Sequence, residues 1–265
     1  MQEYEIRHIN AVRKIAPECM VLLKSDGSFP LDKPGKIALY GCSARRTLKG
    51  GSGSGDVNVR AFTTVEQGLE NAGFVITTKY WLDAYEKAWL DGRVGFRAWL
   101  KEKIAAEGMD TLMENLSIVM PEPDYDIPLV GEGDTAIYVL SRLCGEGVDR
   151  QDVPGDFRLS RTEIRDILQL EKQYDKFMLV LNTACVVDLS PVAESVSNIL
   201  LLSQPGMTVG DSLADVLLGR EYPSGKLAVT WACGDDYDYI SEFGNRDDTR
   251  YTEGIYVGYR YFDSV

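Results

Sequence analysis

The sequence predicts an α/β fold, a three-layer sandwich in which a mostly parallel sheet lies between helical layers. Two observations support this prediction. Short apolar runs rich in β-branched and aromatic residues recur along the chain, and they are continuous rather than alternating, as in strands covered on both faces. Segments with helix caps lie between these runs, and strands that alternate with helices are typical of a parallel sheet.

Six apolar runs are the predicted strands. They are Ile37–Tyr40, Phe74–Ile76, Ala136–Leu140, Phe177–Leu181, Ile199–Leu202 and Leu227–Trp231.

Capping residues predict the helices. Ser160 and Glu163 form the two ends of a capping box, in which the hydroxyl and the carboxylate each accept from an unpaired backbone N–H of the first turn. Thr208 is expected to cap a second helix, which ends near Gly219. A further helix is expected over about residues 63–71.

One long segment interrupts the alternation and predicts a helical insertion around residues 80–107. Trp81, Tyr85 and Trp89 recur every four residues along it. Such rings either stack on a ligand or form the buried face of an added helical pair, and we favour packing. The proline-rich stretch Pro121–Pro128 then serves as a connector, because closely spaced prolines deny hydrogen bonds to both helix and sheet.

The length of 265 residues suits one large domain. We divide the chain into a helical lead-in at residues 1–30 and a single sandwich domain at residues 31–265.

Charge and histidine content exclude several functions. The chain has 41 Asp and Glu against 28 Lys and Arg, a net charge of −13, which argues against nucleic acid or an anionic membrane as a partner and favours neutral substrates. His8 is the single histidine, and it lies in a charged N-terminal stretch. A catalytic triad, a zinc site of several histidines or a histidine proton shuttle would all depend on it, so we interpret it as a solvated helix residue.

The five cysteines are widely spaced and include no C-x-x-C pair, which indicates free thiols in a reducing compartment. The N-terminus shows no apolar segment typical of a signal peptide, and no run is apolar enough to span a membrane. We therefore expect a cytoplasmic protein, and we expect no metal and no cofactor.

A glycine- and serine-rich loop, Lys49–Asp56, follows the strand that ends at Tyr40. Glycines at the carboxyl end of a strand let the backbone approach a ligand closely. The loop lacks the lysine and hydroxyl spacing of a P-loop and the G-x-G-x-x-G pattern of a dinucleotide site. By itself, the loop is more simply interpreted as a flexible surface loop.

A second candidate site is the stretch Ser141–Arg150, at the carboxyl end of the strand Ala136–Leu140. Here Glu146 lies between two glycines. A mobile glycine-flanked turn can deliver a carboxylic acid into a neighbouring cavity, where desolvation raises its pKa toward that of a general acid. A solvated turn glutamate is the alternative.

Taken together, these stretches resemble glycoside hydrolase family 3, and specifically its second, α/β sandwich domain. Eight stretches match in the family's order: Leu22–Leu31, Lys36–Gly41, Lys49–Asn58, Ser141–Arg150, Gln204–Met207, Ala214–Gly219, Tyr222–Lys226 and Tyr251–Arg260. The resemblance implies a retaining, exo-acting β-glucosidase that hydrolyses terminal β-D-glucosyl residues of a β-glucoside or oligosaccharide.

The resemblance also implies that two domains supply the two catalytic residues. Glu146 matches the acid/base glutamate of the family's S-R-x-x-G-E-G-x-D-R loop, although Cys144 replaces the family's serine two residues earlier. The nucleophilic aspartate comes from a separate (β/α)8 barrel of about 250 residues, which this sequence lacks, so a barrel in cis or in trans is the expected partner and the chain alone is expected to be inactive. The residues that the resemblance places at the substrate are Lys49, Gly50, Gly51, Ser52, Gly53, Ser54, Asp56, Arg142, Asp149 and Arg150.

Two other functions stay open on the sequence. A non-catalytic sandwich module that binds a carbohydrate or a partner chain would explain the missing nucleophile. A Rossmann-like nucleotide binder would explain only the glycine-rich loop.

Overall fold

A six-stranded sheet forms the centre of the part of the chain that the computed structural model describes, residues 1–108, 118–143, 150–237 and 250–264. Its strands are β1 (Val21–Lys24), β2 (Lys36–Tyr40), β3 (Val75–Ile76), β4 (Thr135–Arg142), β5 (Lys176–Thr183) and β6 (Ile199–Leu201). They lie side by side in the order β1-β6-β5-β4-β2-β3. All neighbours are parallel except β1 and β6. The predicted α/β fold with a mostly parallel sheet is confirmed.

The two central strands, β4 and β5, carry the core. They pair over their whole length, from Thr135 beside Lys176 to Arg142 beside Thr183. Nearly every residue of both strands is buried. Burial on both faces is the reason that their sequences are continuously apolar rather than alternating.

Helices flank the sheet. They are α1 (Glu3–Ile15), α2 (Val65–Asn71), α3 (Lys79–Glu107), α4 (Arg161–Gln173), α5 (Val209–Leu217) and the short α6 (Tyr259–Phe262). The capping box of α4 is as predicted, since the Ser160 hydroxyl accepts from the Glu163 amide at 3.2 Å and the Glu163 carboxylate accepts from the Ser160 amide at 2.7 Å. Thr208 stands at the N-cap of α5, but its side chain makes no capping hydrogen bond. Gly219 follows that helix with φ at +65°, as a helix-terminating glycine should.

The prediction of a strand at Leu227–Trp231 was wrong. The run forms no strand and is partly exposed, with 59% of Val229 accessible. Only Ser224, just before it, pairs with the sheet, through a single bridge to Val21. The edge position is instead taken by β1, which lies within the predicted lead-in and pairs with β6. Local apolarity could not distinguish these two segments, because burial at a sheet edge is decided by the tertiary contacts.

The helical insertion begins as predicted and packs on the sheet through an aromatic cluster. Trp81 and Tyr85 of α3 are buried and stack with their ring centroids 5.4 Å apart. Tyr40 and Tyr125 meet Trp81 edge-on at 5.4 and 5.6 Å. Packing therefore explains the first two aromatic residues of the repeat, whereas the third, Trp89, is only partly buried.

In the structure, the predicted insertion and the connector after it together join β3 to β4, and we call this whole stretch, residues 77–132, the insertion. Its two ends meet at its base. The Thr77 hydroxyl donates to the Glu132 carbonyl at 3.0 Å and accepts from the Glu132 amide at 3.1 Å, although the two residues are 55 positions apart. Nearby, the Tyr80 hydroxyl contacts the carbonyls of Pro128 and Val130, each at 2.8 Å. The insertion thus leaves and rejoins the sheet through a closed, hydrogen-bonded neck.

The cysteines only partly follow the prediction. Cys19, Cys42 and Cys233 are free, and burial raises the pKa of the Cys42 thiol to about 12, which keeps it protonated. Cys185 is disulfide-bonded, so the prediction of free thiols was wrong for this residue. The cysteine argument for a reducing compartment is weakened accordingly, and the cytoplasmic location stays a prediction. In the described ranges, no helix has the length and apolarity needed to cross a bilayer.

Helices α2 and α5 touch through a pair of glycines. A Cβ atom added to Gly68 would lie 2.0 Å from the backbone carbon of Gly210, and one added to Gly210 would lie 1.9 Å from the Thr64 carbonyl oxygen. Because backbone atoms on both sides cannot move aside cheaply, only glycine allows this approach.

We expect Gly68→Ala to lower the free energy of unfolding by about 1–3 kcal/mol, since overpacking outweighs the better helix propensity of alanine. Gly95→Ala is the matched control, because Gly95 lies in α3 with open space around its Cβ position. This control should stabilise the protein by about 0.5–1 kcal/mol. Urea denaturation of both variants measures the difference, and equal effects would contradict the packing argument.

Candidate functional site

A cavity of about 940 Å³ opens at the carboxyl edge of the sheet. Its walls come from the segments that follow β2 and β4, from α3, from residues 118–122 and from Gly155 and Asp156. Both stretches that the sequence selected for chemistry contribute to it, the first through Ser52, Gly53 and Asp56 and the second through Ser141, Arg142 and Leu143. Ligands of open α/β sheets bind at this edge.

A buried asparagine at the end of β5 positions the glycine-rich loop. The Asn182 carbonyl oxygen accepts from the Ser43 hydroxyl at 2.7 Å and from the Leu48 amide at 2.6 Å. Its amide nitrogen donates to the carbonyls of Leu48 at 3.0 Å and Ser203 at 2.6 Å. One side chain thus satisfies four groups and fixes the start of the loop relative to β5 and β6.

The loop itself carries most of the predicted substrate-binding residues, Lys49, Gly50, Gly51, Ser52, Gly53, Ser54 and Asp56. Lys49 pairs with Asp56 across the loop, and the Lys49 carbonyl accepts from the Gly206 amide at 3.0 Å. Residues 53–55 form a short 3-10 turn. The loop therefore has a defined conformation at the cavity, and the contact of each residue with a substrate stays a prediction.

Arg142 is buried in an ion pair. Its guanidinium makes a bidentate contact with Glu163, at 2.8 and 2.6 Å, and also donates to the carbonyls of Ser141 at 2.8 Å and Asp156 at 2.7 Å. The Arg142 and Glu163 side chains are only 4% and 0% exposed. These contacts join the end of β4 to the N-terminus of α4, so that Arg142 fixes the point from which the second predicted loop departs. Its role in substrate binding stays a prediction.

Arg150 is the last residue of that predicted loop. Its guanidinium pairs with Asp156, which lines the cavity, and contacts the sulfur of Cys185. Among the described residues, its second terminal nitrogen, Nη2, has no hydrogen-bond partner although it is buried. Glu146 and Asp149, together with Cys144, lie outside the described residues. The structure therefore places the two ends of the loop at the cavity, and the role of Glu146 remains a prediction.

The residue that the sequence did not reveal is Glu122, in the proline-rich connector. Glu122 lines the cavity, and its carboxyl accepts a hydrogen bond from the Tyr85 hydroxyl. Desolvation, reinforced by the negative charge of Glu163, raises the pKa of Glu122 to about 7, against the opposing effects of Tyr85, Arg142 and Arg46. No sequence motif marks it, because its partners come from segments far apart in the chain.

No candidate metal site was found in the described part of the chain, where no three His, Cys, Asp or Glu side chains are grouped so as to hold an ion. The residues that line the described cavity present carboxyl groups, guanidinium groups, hydroxyls and backbone amides.

Comparison with known proteins agrees with the resemblance found in the sequence. The profile described as "Glycosyl hydrolase family 3 C-terminal domain" matches residues 20–259. Beta-glucosidase A of Butyrivibrio fibrisolvens is 30% identical over 98% of this chain, and a beta-glucosidase of Ruminococcus albus is 31% identical over 97%. The chain spans only 33% and 26% of the lengths of these relatives.

The structural comparison gives the same result. The beta-glucosidase 3B of Thermotoga neapolitana in complex with glucose superposes with a TM-score of 0.77 at 29% identity. The match covers 99% of this chain and 37% of that one.

The pKa of Glu122 predicts a pH effect on stability. An unfolded glutamate has a pKa of about 4.3, so between that pH and about 7 the folded protein holds a proton that the unfolded chain has lost. Stability therefore falls as pH rises through this window. Through this group, the free energy of unfolding of the wild-type protein should fall by about 1–3 kcal/mol between pH 5 and pH 8, and we expect Glu122→Gln to abolish that fall. Urea unfolding at both pH values measures the difference.

Glu132→Gln is the matched control for this experiment. The Glu132 carboxylate is exposed, and its pKa is lowered by the neighbouring Lys36, so it is ionised in both states from pH 5 to pH 8. The control should show the same pH dependence as the wild-type protein. A Glu122→Gln variant that also follows the wild-type curve would contradict the raised pKa.

The network around Asn182 gives a second prediction. Asn182→Asp keeps the shape but replaces the donor nitrogen by oxygen, which leaves the carbonyls of Leu48 and Ser203 without their partner. Each unpaired buried group costs about 1–3 kcal/mol, so a marked loss of stability is expected in urea denaturation. Asn58→Asp, at an exposed position of the following segment, should change stability by less than about 0.5 kcal/mol. Equal losses in the two variants would refute the anchoring role.

Proposed function

The chain belongs to glycoside hydrolase family 3, as its C-terminal domain, and we propose that it is the acid/base-bearing domain of a retaining, exo-acting β-glucosidase. The observation that carries the proposal is the shared cavity. The two stretches that match the family's site motifs, 49–56 and 141–150, both reach one opening at the carboxyl edge of the sheet. The printed names of the relatives support β-glucosides as the substrate class.

Glu146 is the proposed catalytic residue. In the mechanism that the resemblance implies, its carboxylic acid protonates the leaving glycosidic oxygen while a nucleophilic aspartate attacks the anomeric carbon. The resulting glycosyl-enzyme is then hydrolysed by a water that the Glu146 carboxylate deprotonates, with the two carboxyl groups about 5 to 5.5 Å apart.

The described residues support this role by fixing the loop at both ends. Arg142 is locked to Glu163 on one side, and Arg150 is locked to Asp156 on the other. A catalytic group must be held close to its productive geometry, and buried ion pairs at the two ends of a short loop restrict where the intervening carboxyl can lie.

The nucleophile is proposed to come from a (β/α)8 barrel, in cis or in trans. The chain matches a third or less of each curated relative named above, so most of each of those proteins has no counterpart here. On this proposal, the isolated chain does not hydrolyse glucosides, and its cavity becomes a complete active site only against the barrel.

A chimera tests the proposal. The chain replaces the matching third of the Butyrivibrio fibrisolvens enzyme, and hydrolysis of aryl β-glucosides with good and poor leaving groups is measured. We expect an active chimera in which Glu146→Ala lowers kcat/KM for the poor leaving group by about 10²–10⁴-fold and affects the good leaving group less. Added azide should partly restore turnover of the good leaving group, because an anionic nucleophile needs no general base.

Glu194→Ala, at an exposed position that does not line the cavity, is the control and should leave both substrates unaffected. If Glu146→Ala hydrolyses both substrates as well as the control does, Glu146 is not the acid/base. The chain without a barrel should give no hydrolysis above background.

A further inference from the structure

Cys185 is disulfide-bonded at the carboxyl edge of the sheet, two residues after the end of β5. Cys19, Cys42 and Cys233 have free thiols. The sequence holds five cysteines, and the one that remains is Cys144, which lies outside the described residues. A bond within the chain therefore leaves Cys144 as the partner of Cys185.

The register of the two central strands supports this pairing. Strands β4 and β5 are parallel, and their last pair is Arg142 beside Thr183. Cys144 and Cys185 each follow that pair by two positions. Neighbouring strands lie about 4.8 Å apart, and the two Cα atoms of a disulfide lie about 4.4–6.8 Å apart. Equal, short extensions from a paired point thus suit a bond between the two cysteines.

The Cys185 end of the bond is fixed by its neighbours. The Thr183 hydroxyl donates to the Cys185 carbonyl at 3.1 Å and accepts from the Cys185 amide at 3.2 Å. One residue before Thr183, the buried Asn182 makes the four hydrogen bonds described above. Cys185 is consequently a rigid point to which a neighbouring loop can be tied.

The surroundings of the sulfur favour reversible reduction. Cys185 is only partly buried, so a small dithiol can approach it. The Arg150 guanidinium contacts the sulfur, and a cation at this position stabilises the thiolate that leaves when a reductant attacks the bond. Arg150 also pairs with Asp156, which lines the cavity. The disulfide is thus next to the cavity wall.

We propose that Cys185 is bonded to Cys144 and that this disulfide is a redox-controlled restraint on the position of Glu146. The proposal rests on the function proposed above, in which Glu146, two residues after Cys144, is the acid/base. In the oxidised protein, the predicted loop is held by Arg142 at its start, by the disulfide before Glu146 and by Arg150 at its end. Reduction removes the middle restraint, and the glycines on both sides of Glu146 give the freed segment more conformations.

Reduction is a two-electron exchange with a dithiol. One thiolate of the reductant attacks the Cys144 sulfur, the S–S bond breaks, and Cys185 leaves as a thiolate that takes up a proton. The second thiolate of the reductant then displaces Cys144, which also takes up a proton. The protein gains two electrons and two protons, and the dithiol that has lost them becomes a cyclic disulfide.

Peptide mapping of the 265-residue protein tests the bond. The protein is purified in air without reductant, unfolded in guanidinium chloride, alkylated and digested with trypsin. We expect peptide 143–150 linked to peptide 177–220, with alkylation only at the three free cysteines. Dithiothreitol added before alkylation should release both peptides. Alkylation of Cys144 without reductant, or a link from Cys185 to another cysteine, overturns the proposal.

The chimera described above tests the effect on catalysis. Reduction with dithiothreitol should lower kcat/KM for the poor leaving group about 5–30-fold, the effect of freeing the backbone of about one residue. The good leaving group needs less protonation, so its kcat/KM should fall less, whereas unfolding would lower both equally. The double variant Cys144→Ser/Cys185→Ser should show the reduced values with or without dithiothreitol. A redox dependence that persists in this variant rejects the restraint.

Cys233→Ser is the matched control, because Cys233 is an exposed free thiol that does not line the cavity. This variant should keep both the activity of the oxidised chimera and its decrease on reduction. Loss of the redox dependence in Cys233→Ser would assign the effect to Cys233 and overturn the proposal.

The same measurements separate the restraint from the function on which it rests. If Glu146→Ala impairs hydrolysis of the poor leaving group while dithiothreitol has no effect on the unsubstituted chimera, the function stands and the restraint is rejected. If peptides 143–150 and 177–220 are linked but Glu146→Ala leaves hydrolysis unchanged, the bond stands and its effect on catalysis is rejected together with the acid/base assignment.

Discussion

Four hydrogen bonds to the buried side chain of Asn182 connect segments that are far apart in the chain but meet at the carboxyl edge of the sheet. The carboxyl edge of a parallel sheet is where strands end and loops begin, so its backbone groups lose their ladder partners just where water is excluded. An amide, with one acceptor and one donor end, can replace several of those partners at once. The conformation of the glycine-rich loop at the cavity depends on these hydrogen bonds from the Asn182 amide.

The need to pair polar groups where a strand ends also explains the ion pair between Arg142 and Glu163, on the other side of the cavity. Arg142 continues β4 past its last apolar residue and is neutralised by Glu163, whose carboxylate also completes the capping box of α4. A buried charge pair contributes little to net stability, because desolvation offsets most of the attraction. What it provides is a fixed geometry, since neither partner can leave without exposing the other as an uncompensated charge.

Much of the fold was predictable from sequence, and the reasons are local. Strands β4 and β5 are buried on both faces, so their apolarity is continuous, and the capping box at Ser160 acts within four residues. The strand at the edge of the sheet could not be predicted in this way. Both β1 and the segment after Ser224 are locally apolar, and only the pairing of β1 with β6 shows which of them is the strand. The prediction of a free thiol at Cys185 was wrong for the same reason, because disulfide pairing depends on tertiary proximity.

The site was predictable only in part. The two motif stretches were identified through their resemblance to a family, and they do meet at one cavity. Glu122 could not be found this way, since the environment that raises its pKa is assembled from Tyr85, Glu163 and Arg142, which lie on three other segments of the chain. A carboxylate among prolines gives no sequence signal of burial.

The closed neck at Thr77 and Glu132 has an evolutionary consequence. Because the insertion leaves and rejoins the sheet at one hydrogen-bonded point, its length and composition can change without displacing β3 or β4. The cavity wall that holds Trp89 and Glu122 lies wholly within this insertion. The insertion and its part of the cavity wall can therefore be exchanged between relatives as a single unit, while the sheet and the two motif loops stay the same.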